Sequence, residues 1–261
     1  MGGVNKGAAR PRLFASAPRL PAEDEGVNAF MVAMARRLVI SLHIAAGAAF
    51  GVAQAASPLQ TEDADALDKG QCELEASYLR LSHGASETGA GLQCGLVPRL
   101  QAGFAFSEAH EGDERSRSAQ VGGKLRLGGA DDGLRWAVAA VVGADQADGH
   151  WRTASGRVSL IATLPAGPGH VHLNVGRYRD IPSQLLATTW GAAYEWNPLP
   201  VGTTAWAPMV ELFGTRDMGS TLSLGLRGTL IEDKLYLNLA FGQERREPHT
   251  RLTTVGLRWA F

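Results

Sequence analysis

"TTVGLRWAF" (Thr253–Phe261) closes the chain with an apolar side chain at every second position. Val255, Leu257, Trp259 and Phe261 share one parity, and Thr254, Gly256, Arg258 and Ala260 share the other. Successive side chains of a strand point to opposite faces, so this stretch has one greasy face and one small or polar face. Chain ends ordinarily fray, and two large aromatics in the last three residues are an unusual use of a terminus. Two architectures fit: the edge strand of a two-sheet sandwich, or the lipid-facing strand of a barrel.

The same alternation recurs along the chain. Twelve segments carry it, near 72–82, 87–96, 99–108, 117–128, 133–143, 152–164, 170–178, 185–196, 205–214, 219–230, 234–242 and 250–261, each bounded by Gly, Pro, Asn or Asp. No helical period runs over a comparable length, and a membrane strand needs about 9–11 residues. "TLSLGLRGTL" sets Leu222, Leu224, Leu226 and Leu230 against Ser223, Gly225, Arg227 and Thr229. "QVGGKLRL" sets Val121, Leu125 and Leu127 against Gln120, Lys124 and Arg126. A sandwich would put long charged side chains on its solvent face and few glycines in mid-strand. Here the polar parity is mostly small residues with occasional charges, as in the interior of a crowded barrel. The pattern predicts an all-β fold, a twelve-stranded antiparallel transmembrane β-barrel of the outer-membrane type, over residues 56–261.

Upstream, "MARRLVISLHIAAGAAFGVAQA" (34–55) has a basic start at Arg36 and Arg37, an apolar run, and a small-x-small site at Ala53-Gln54-Ala55. These are the parts of an export signal peptide. A membrane anchor is the alternative, because the run approaches spanning length. Residues 1–33 have no periodicity and read as an extension without a fold. From residue 56 onward 19 basic residues face 23 acidic ones. Nucleic-acid binding needs the opposite balance, so no such partner is expected.

With both ends of the barrel domain in the periplasm, alternate connections should be short. Those at Val97-Pro98-Arg99, "GGADDG", "PAGPG", "NPLPVGTT" and "IEDK" are compact, and the others are expected to be mostly longer and more charged. Trp190, Tyr194, Trp196, Trp259 and Phe261 fall on the apolar parity, several near strand ends, as in an interfacial aromatic girdle. Phe261 should close a lipid-facing strand whose neighbour is the first one.

"PLQTEDADALDKGQCELEASYLR" (58–80), "CGLVPRLQAGFAF" (94–106), "VHLNVGRYRD" (171–180), "VELFG" (210–214) and "LGLRGTLIEDKLYLNLAFG" (224–242) together resemble the outer-membrane barrel family of meta-pathway phenol-degradation transporters. The likeness covers nearly all of residues 56–261. It implies an outer-membrane location and passage of aromatic or other small compounds. The chain end also resembles the signal read by barrel-assembly machinery, carried here by Val255, Leu257, Trp259 and Phe261.

Cys72 and Cys94 lie on the first two proposed strands with the parity of Leu74 and Leu92, and folding the hairpin around His83 sets them opposite. In an oxidising compartment such a pair reads as a disulfide rather than a metal site. The alternative is two isolated small apolar residues. Glu73, Glu75, Gln93, Gln101, Lys124, Arg126, His172, Asn174, Glu195, Glu211, Arg227, Asn238 and Arg258 fall on the inward parity. They read either as the lining of a solute path or as a filled interior whose acids and bases pair. Twelve strands stand between the filled eight-stranded barrel and the aqueous sixteen-stranded one. Glu73, Glu75, Glu195 and Glu211 roughly balance Lys124, Arg126, Arg227 and Arg258, which favours a narrow or occluded lumen.

His110, His150 and His249 stand near Glu111, Asp148 and Glu247 at the expected outer rim, an acid–base pattern in principle. No nucleophile elbow accompanies them. No enzymatic activity, metal or cofactor is expected. The expected function is a channel or transporter for small solutes, with outer-membrane lipid and the assembly machinery as partners. A structural or assembly barrel is the alternative, and a surface enzyme comes third.

Overall fold

The computed structural model describes residues 59–147, 149–216, 218–246 and 249–261. The expected export signal and the expected extension before it lie outside the described residues, as do Asp148 and Glu247. Among the described residues the secondary structure is all strand: β1 (Cys72–Leu81), β2 (Ser86–Val97), β3 (Leu100–Glu111), β4 (Glu114–Gly128), β5 (Arg135–Ala147), β6 (His150–Pro165), β7 (Gly169–Asp180), β8 (Leu186–Trp196), β9 (Leu199–Val201), β10 (Thr204–Thr215), β11 (Gly219–Ile231), β12 (Leu235–Glu244) and β13 (Arg251–Ala260).

Twelve of these strands form a closed antiparallel ring. Each pairs with the next, β8 pairs with β10, and β13 returns to β1. The closing register runs from Glu73↔Ala260 to Leu81↔Leu252. Beyond it, Cys72 N–H donates to the Phe261 carbonyl at 2.8 Å and Phe261 N–H donates back at 2.9 Å. Closure leaves the wall without an exposed edge. β9 stands outside the ring. The "NPLPVGTT" connection folds back as a short hairpin in which Leu199, Pro200 and Val201 face Trp206, Ala205 and Thr204.

Alternation decides which way each side chain points. Leu222, Leu224, Val255, Leu257, Trp259 and Phe261 are exposed on the outside, with Phe261 at 61%. Large apolar residues on the outside of a closed barrel are what a bilayer requires. Tyr194 and Trp196 pack edge to face at 4.5 Å, and Trp259 lies 5.6 Å from Phe261, on the end of the barrel that carries Cys72 and Phe261. That end is called the terminal end below, and the opposite one the far end.

The connections differ from the expected asymmetry. The far-end link between β3 and β4 is only Gly112-Asp113, whereas residues 129–134 join β4 to β5 at the terminal end. The strands keep pairing through charged residues, with His110 opposite Arg115 and Glu111 opposite Glu114. Charge alone therefore marked solvent, not the end of a ladder. Cys72 and Cys94 are direct cross-strand partners with Cα atoms 4.1 Å apart, and they form a disulfide.

Candidate functional site: a barrel lumen filled by its own chain

Before β1, residues 59–71 turn into the barrel from the terminal end and reach wall residues at mid-strand. Gly70, with φ at +86°, makes the entry turn, and its N–H donates to the Gly95 carbonyl at 2.9 Å. The preceding chain then runs over to the wall formed by β8 and β10. Leu59, Thr61, Glu62 and Ala64 are all buried, Ala64 completely.

Small wall residues make the room. Leu59 packs with Ala193, Ala207 and Met209, and Ala64 packs with Ala137, Ala139 and Ile161. Two glycines sit directly under the segment. A methyl group at Gly95 would overlap the Asp68 carbonyl, and one at Gly191 would overlap Thr61 Oγ1. The small inward parity of the sequence thus leaves space that residues 59–68 occupy.

Polar wall groups hold the segment along its length. The Glu211 carboxylate accepts the Gln60 N–H at 2.9 Å and also the Thr61 N–H. Asn174 makes a two-way clasp: its Oδ1 accepts from Glu62 N–H at 2.9 Å and its Nδ2 donates to the Glu62 carbonyl at 2.8 Å. Thr163 Oγ1 accepts the Ala64 N–H at 2.9 Å, and Gln101 Oε1 accepts the Leu67 N–H at 2.9 Å. An irregular segment can stay buried only when its amides find such partners.

Charge complements this. Glu62 Oε1 pairs with Arg157 Nη2 at 3.0 Å, and Asp63 Oδ1 with Lys124 Nζ at 3.2 Å. Asp65 Oδ1 pairs with Arg135 Nε at 3.2 Å and lies 3.9 Å from Arg126 Nη1. Arg126 bonds mainly outside the lumen, to Asp131 at 2.5 Å. In that turn the guanidinium holds the Asp131 carboxyl below its ordinary value.

The contacts continue around the wall. Thr163 Oγ1 lies 3.0 Å from His172 Nδ1, and His172 Nε2 lies 3.5 Å from Glu195 Oε2. Arg227 donates to Glu195 Oε1 at 2.9 Å and to Asn238 Oδ1 at 3.3 Å. On the other side Gln101 donates to Gln93 at 2.8 Å, and Gln93 to Glu73 at 2.9 Å, with Arg258 3.8 Å from Glu73. Glu75 is buried on the inward face of β1. Beside the segment Glu62, Gln93, Gln101, Lys124, Ala139 and Val141 line a cavity of about 20 Å³, room for a water molecule.

Of the thirteen inward candidates of the sequence, eleven join the contacts above, Glu75 is buried on β1, and Arg126 turns to Asp131 and the Gly129 carbonyl. Sequence reasoning missed Arg135, Arg157 and Thr163 in the wall, and the segment itself. The rim histidines lie apart from the lumen. His110 is on β3 and bonds Glu108 at 2.9 Å, while Glu111 faces His83 at 3.6 Å. His249 Nδ1 lies 3.1 Å from the Glu244 carbonyl. Among the described residues no three His, Cys, Asp or Glu side chains gather as metal ligands.

Comparison with known proteins adds a family and a fold. Residues 42–261 match the family described as "Uncharacterised conserved protein UCP029691". The chain belongs to that family. No curated protein matches the sequence. Among solved structures, the KdgM porin is similar at a TM-score of 0.54 and 9% identity, over 72% of this chain and 99% of that one. The KdgM porin in complex with disordered oligogalacturonate gives 0.51 and 9%, over 72% and 99%. The NanC porin gives 0.51 and 9%, over 72% of this chain and 98% of its own. At these identities the likeness concerns the fold, which this family member shares with outer-membrane porins.

Proposed function

We propose that the protein is an outer-membrane channel for small solutes whose lumen is closed by residues 59–69 of the same chain. One observation carries the reading: the space inside the wall is wide enough for a chain segment, and residues 60–67 of it are held by side chains, its bridge to a strand being Lys69 to Gly95. A lumen that accepts a peptide backbone accepts a small solute once the backbone leaves. Support for the location comes from the apolar outer face and the aromatic pairs at the terminal end. The export signal at 34–55, with cleavage after Ala55, would leave three residues ahead of Leu59. On this reading lipid surrounds Leu224 and Leu257, and the assembly machinery reads Val255, Leu257, Trp259 and Phe261. Passage of aromatic compounds rests on the family resemblance of the sequence alone. No catalysis is assigned to the site.

A structural barrel without conduction is the second reading, favoured by how completely the segment is bonded. Single-channel recording of refolded residues 56–261 in a planar bilayer separates the two. The channel reading expects rare openings in the wild type, and frequent openings when Glu211→Ala weakens the hold on Gln60 and Thr61. Silence in both proteins would favour the structural barrel.

A further inference from the structure

We infer that the wall beneath the plug is a recognition site for small solutes carrying two or three carboxylates, and that residues 59–67 fill it as a built-in mimic. The inference rests on the channel reading and names its solute class. Lys124, Arg135 and Arg157 lie on β4, β5 and β6, three neighbouring strands, and each is at least nine-tenths buried. Each meets one acid of the plug: Lys124 meets Asp63, Arg135 meets Asp65, and Arg157 meets Glu62. Three buried bases on one side of a lumen are costly unless anions stand against them. The plug supplies those anions from a stretch of four residues, 62–65.

The rest of the wall is poorly placed to take over. Glu195 is engaged with Arg227 and His172, and Glu73 with Gln93 and Arg258. Glu211, on β10 three strands beyond β6, receives N–H donors from the plug. The vacated lumen is therefore polarised along one arc of its wall. It offers bases on β4 to β6 and a carboxylate acceptor on β10. A solute that replaces the plug should present carboxylates to the first side and hydroxyl or amide donors to the second. Neighbouring strands stand about 4.8 Å apart, so the three bases suit carboxylates spread over a molecule of a few carbons rather than a single one.

The probe is citrate, a small tricarboxylate with one hydroxyl, and glucose is the uncharged control. The plug variant Glu62→Gln/Asp63→Asn/Asp65→Asn removes the charges and keeps the size. Titration calorimetry on detergent-refolded barrels reads binding without needing conduction, and heat-modifiable gel mobility checks folding. Citrate should bind the neutralised-plug barrel at least tenfold more tightly than the wild type, and glucose should bind neither. Adding Lys124→Gln/Arg135→Gln, or Lys124→Gln alone if the double change does not fold, should reduce citrate binding at least tenfold. Equal citrate binding in wild type and plug variant, or binding indifferent to Lys124, would overturn the inference. Bilayer recording of the same proteins tests the channel reading separately. Conduction without citrate binding leaves the channel and removes the site, and citrate binding without conduction does the reverse.

Discussion

The two halves of the lumen solve the same problem differently. Toward the far end wall residues bond one another: the Ser107 and Ser118 hydroxyls meet across β3 and β4 at 2.8 Å. On the outer surface of the same half, Glu108 collects Arg115, Arg117 and His110. From the terminal end to mid-barrel, Glu211, Asn174, Thr163, Gln101, Lys124, Arg135 and Arg157 all bond to residues 60–67. The far half is finished once the ring closes. The terminal half is finished only when a segment outside the ring enters it. A partner held by side chains can leave without opening a strand pair of the ring, and the proposed channel rests on that difference.

The difference can be attacked from both sides. The largest effect is expected at Glu211. Glu211→Ala orphans the Gln60 and Thr61 amides, and each unpaired buried donor costs about 1–3 kcal/mol. Limited proteolysis should nick residues 59–69 at least tenfold faster, while the melting of the ring moves little.

Cutting the disulfide comes next. Cys72→Ser/Cys94→Ser removes a cross-link over a separation of 22 residues, worth about 3 kcal/mol in the chain-entropy account. The unfolding free energy from denaturant titration should fall by that amount, and the midpoint should lose its dependence on reductant. A free-thiol assay on unreduced wild type should read near zero.

Phe261→Ala removes apolar burial worth roughly 1.5–3 kcal/mol and blunts the proposed assembly signal. Folded protein in the outer membrane should drop more than for a change at inward-facing Ala260. Near-normal refolding into detergent would assign the deficit to assembly.

The smallest effect belongs to the far half. Ser107→Ala should cost about 0.5–1.5 kcal/mol and leave both proteolysis of the segment and conductance unchanged. A large change in either would mean that the halves are not independent.

The wall was legible because its signal repeats. A period of two over twelve segments fixes strand, face and neighbour at once, so Leu224 reads outward and Arg227 inward without coordinates. The Cys72–Cys94 pair followed from the same parity and a short hairpin. The plug had no such signal. "LQTEDADAL" (59–67) has no period and three acids, and it reads as a solvated leader. Its burial depends on partners up to 151 residues away, as with Gln60 and Glu211. A trace was present in the alanines at 137, 139, 193 and 207 and in the glycines at 95 and 191, which leave room inside the ring. Arg135 and Arg157 share the inward parity with Lys124 and were equally readable. Charge at Glu111, Glu114 and Arg115 suggests a loop in the sequence, but a rim strand above the lipid tolerates it, so the ladder runs on.

The most direct test of the central claim is a bridge between plug and wall. A Cβ atom built at Gly191 lies 3.3 Å from Thr61 Cβ, close to the roughly 3.5–4.5 Å that a disulfide requires. Thr61→Cys/Gly191→Cys, in a Cys72→Ser/Cys94→Ser background, should oxidise to a single bridge in the folded barrel. Recorded in a bilayer, that protein should stay shut until reductant is added and then open as often as the unbridged parent or more. Two free thiols in the folded, oxidised barrel, or unchanged conductance while the bridge is intact, would contradict a lumen closed by residues 59–69.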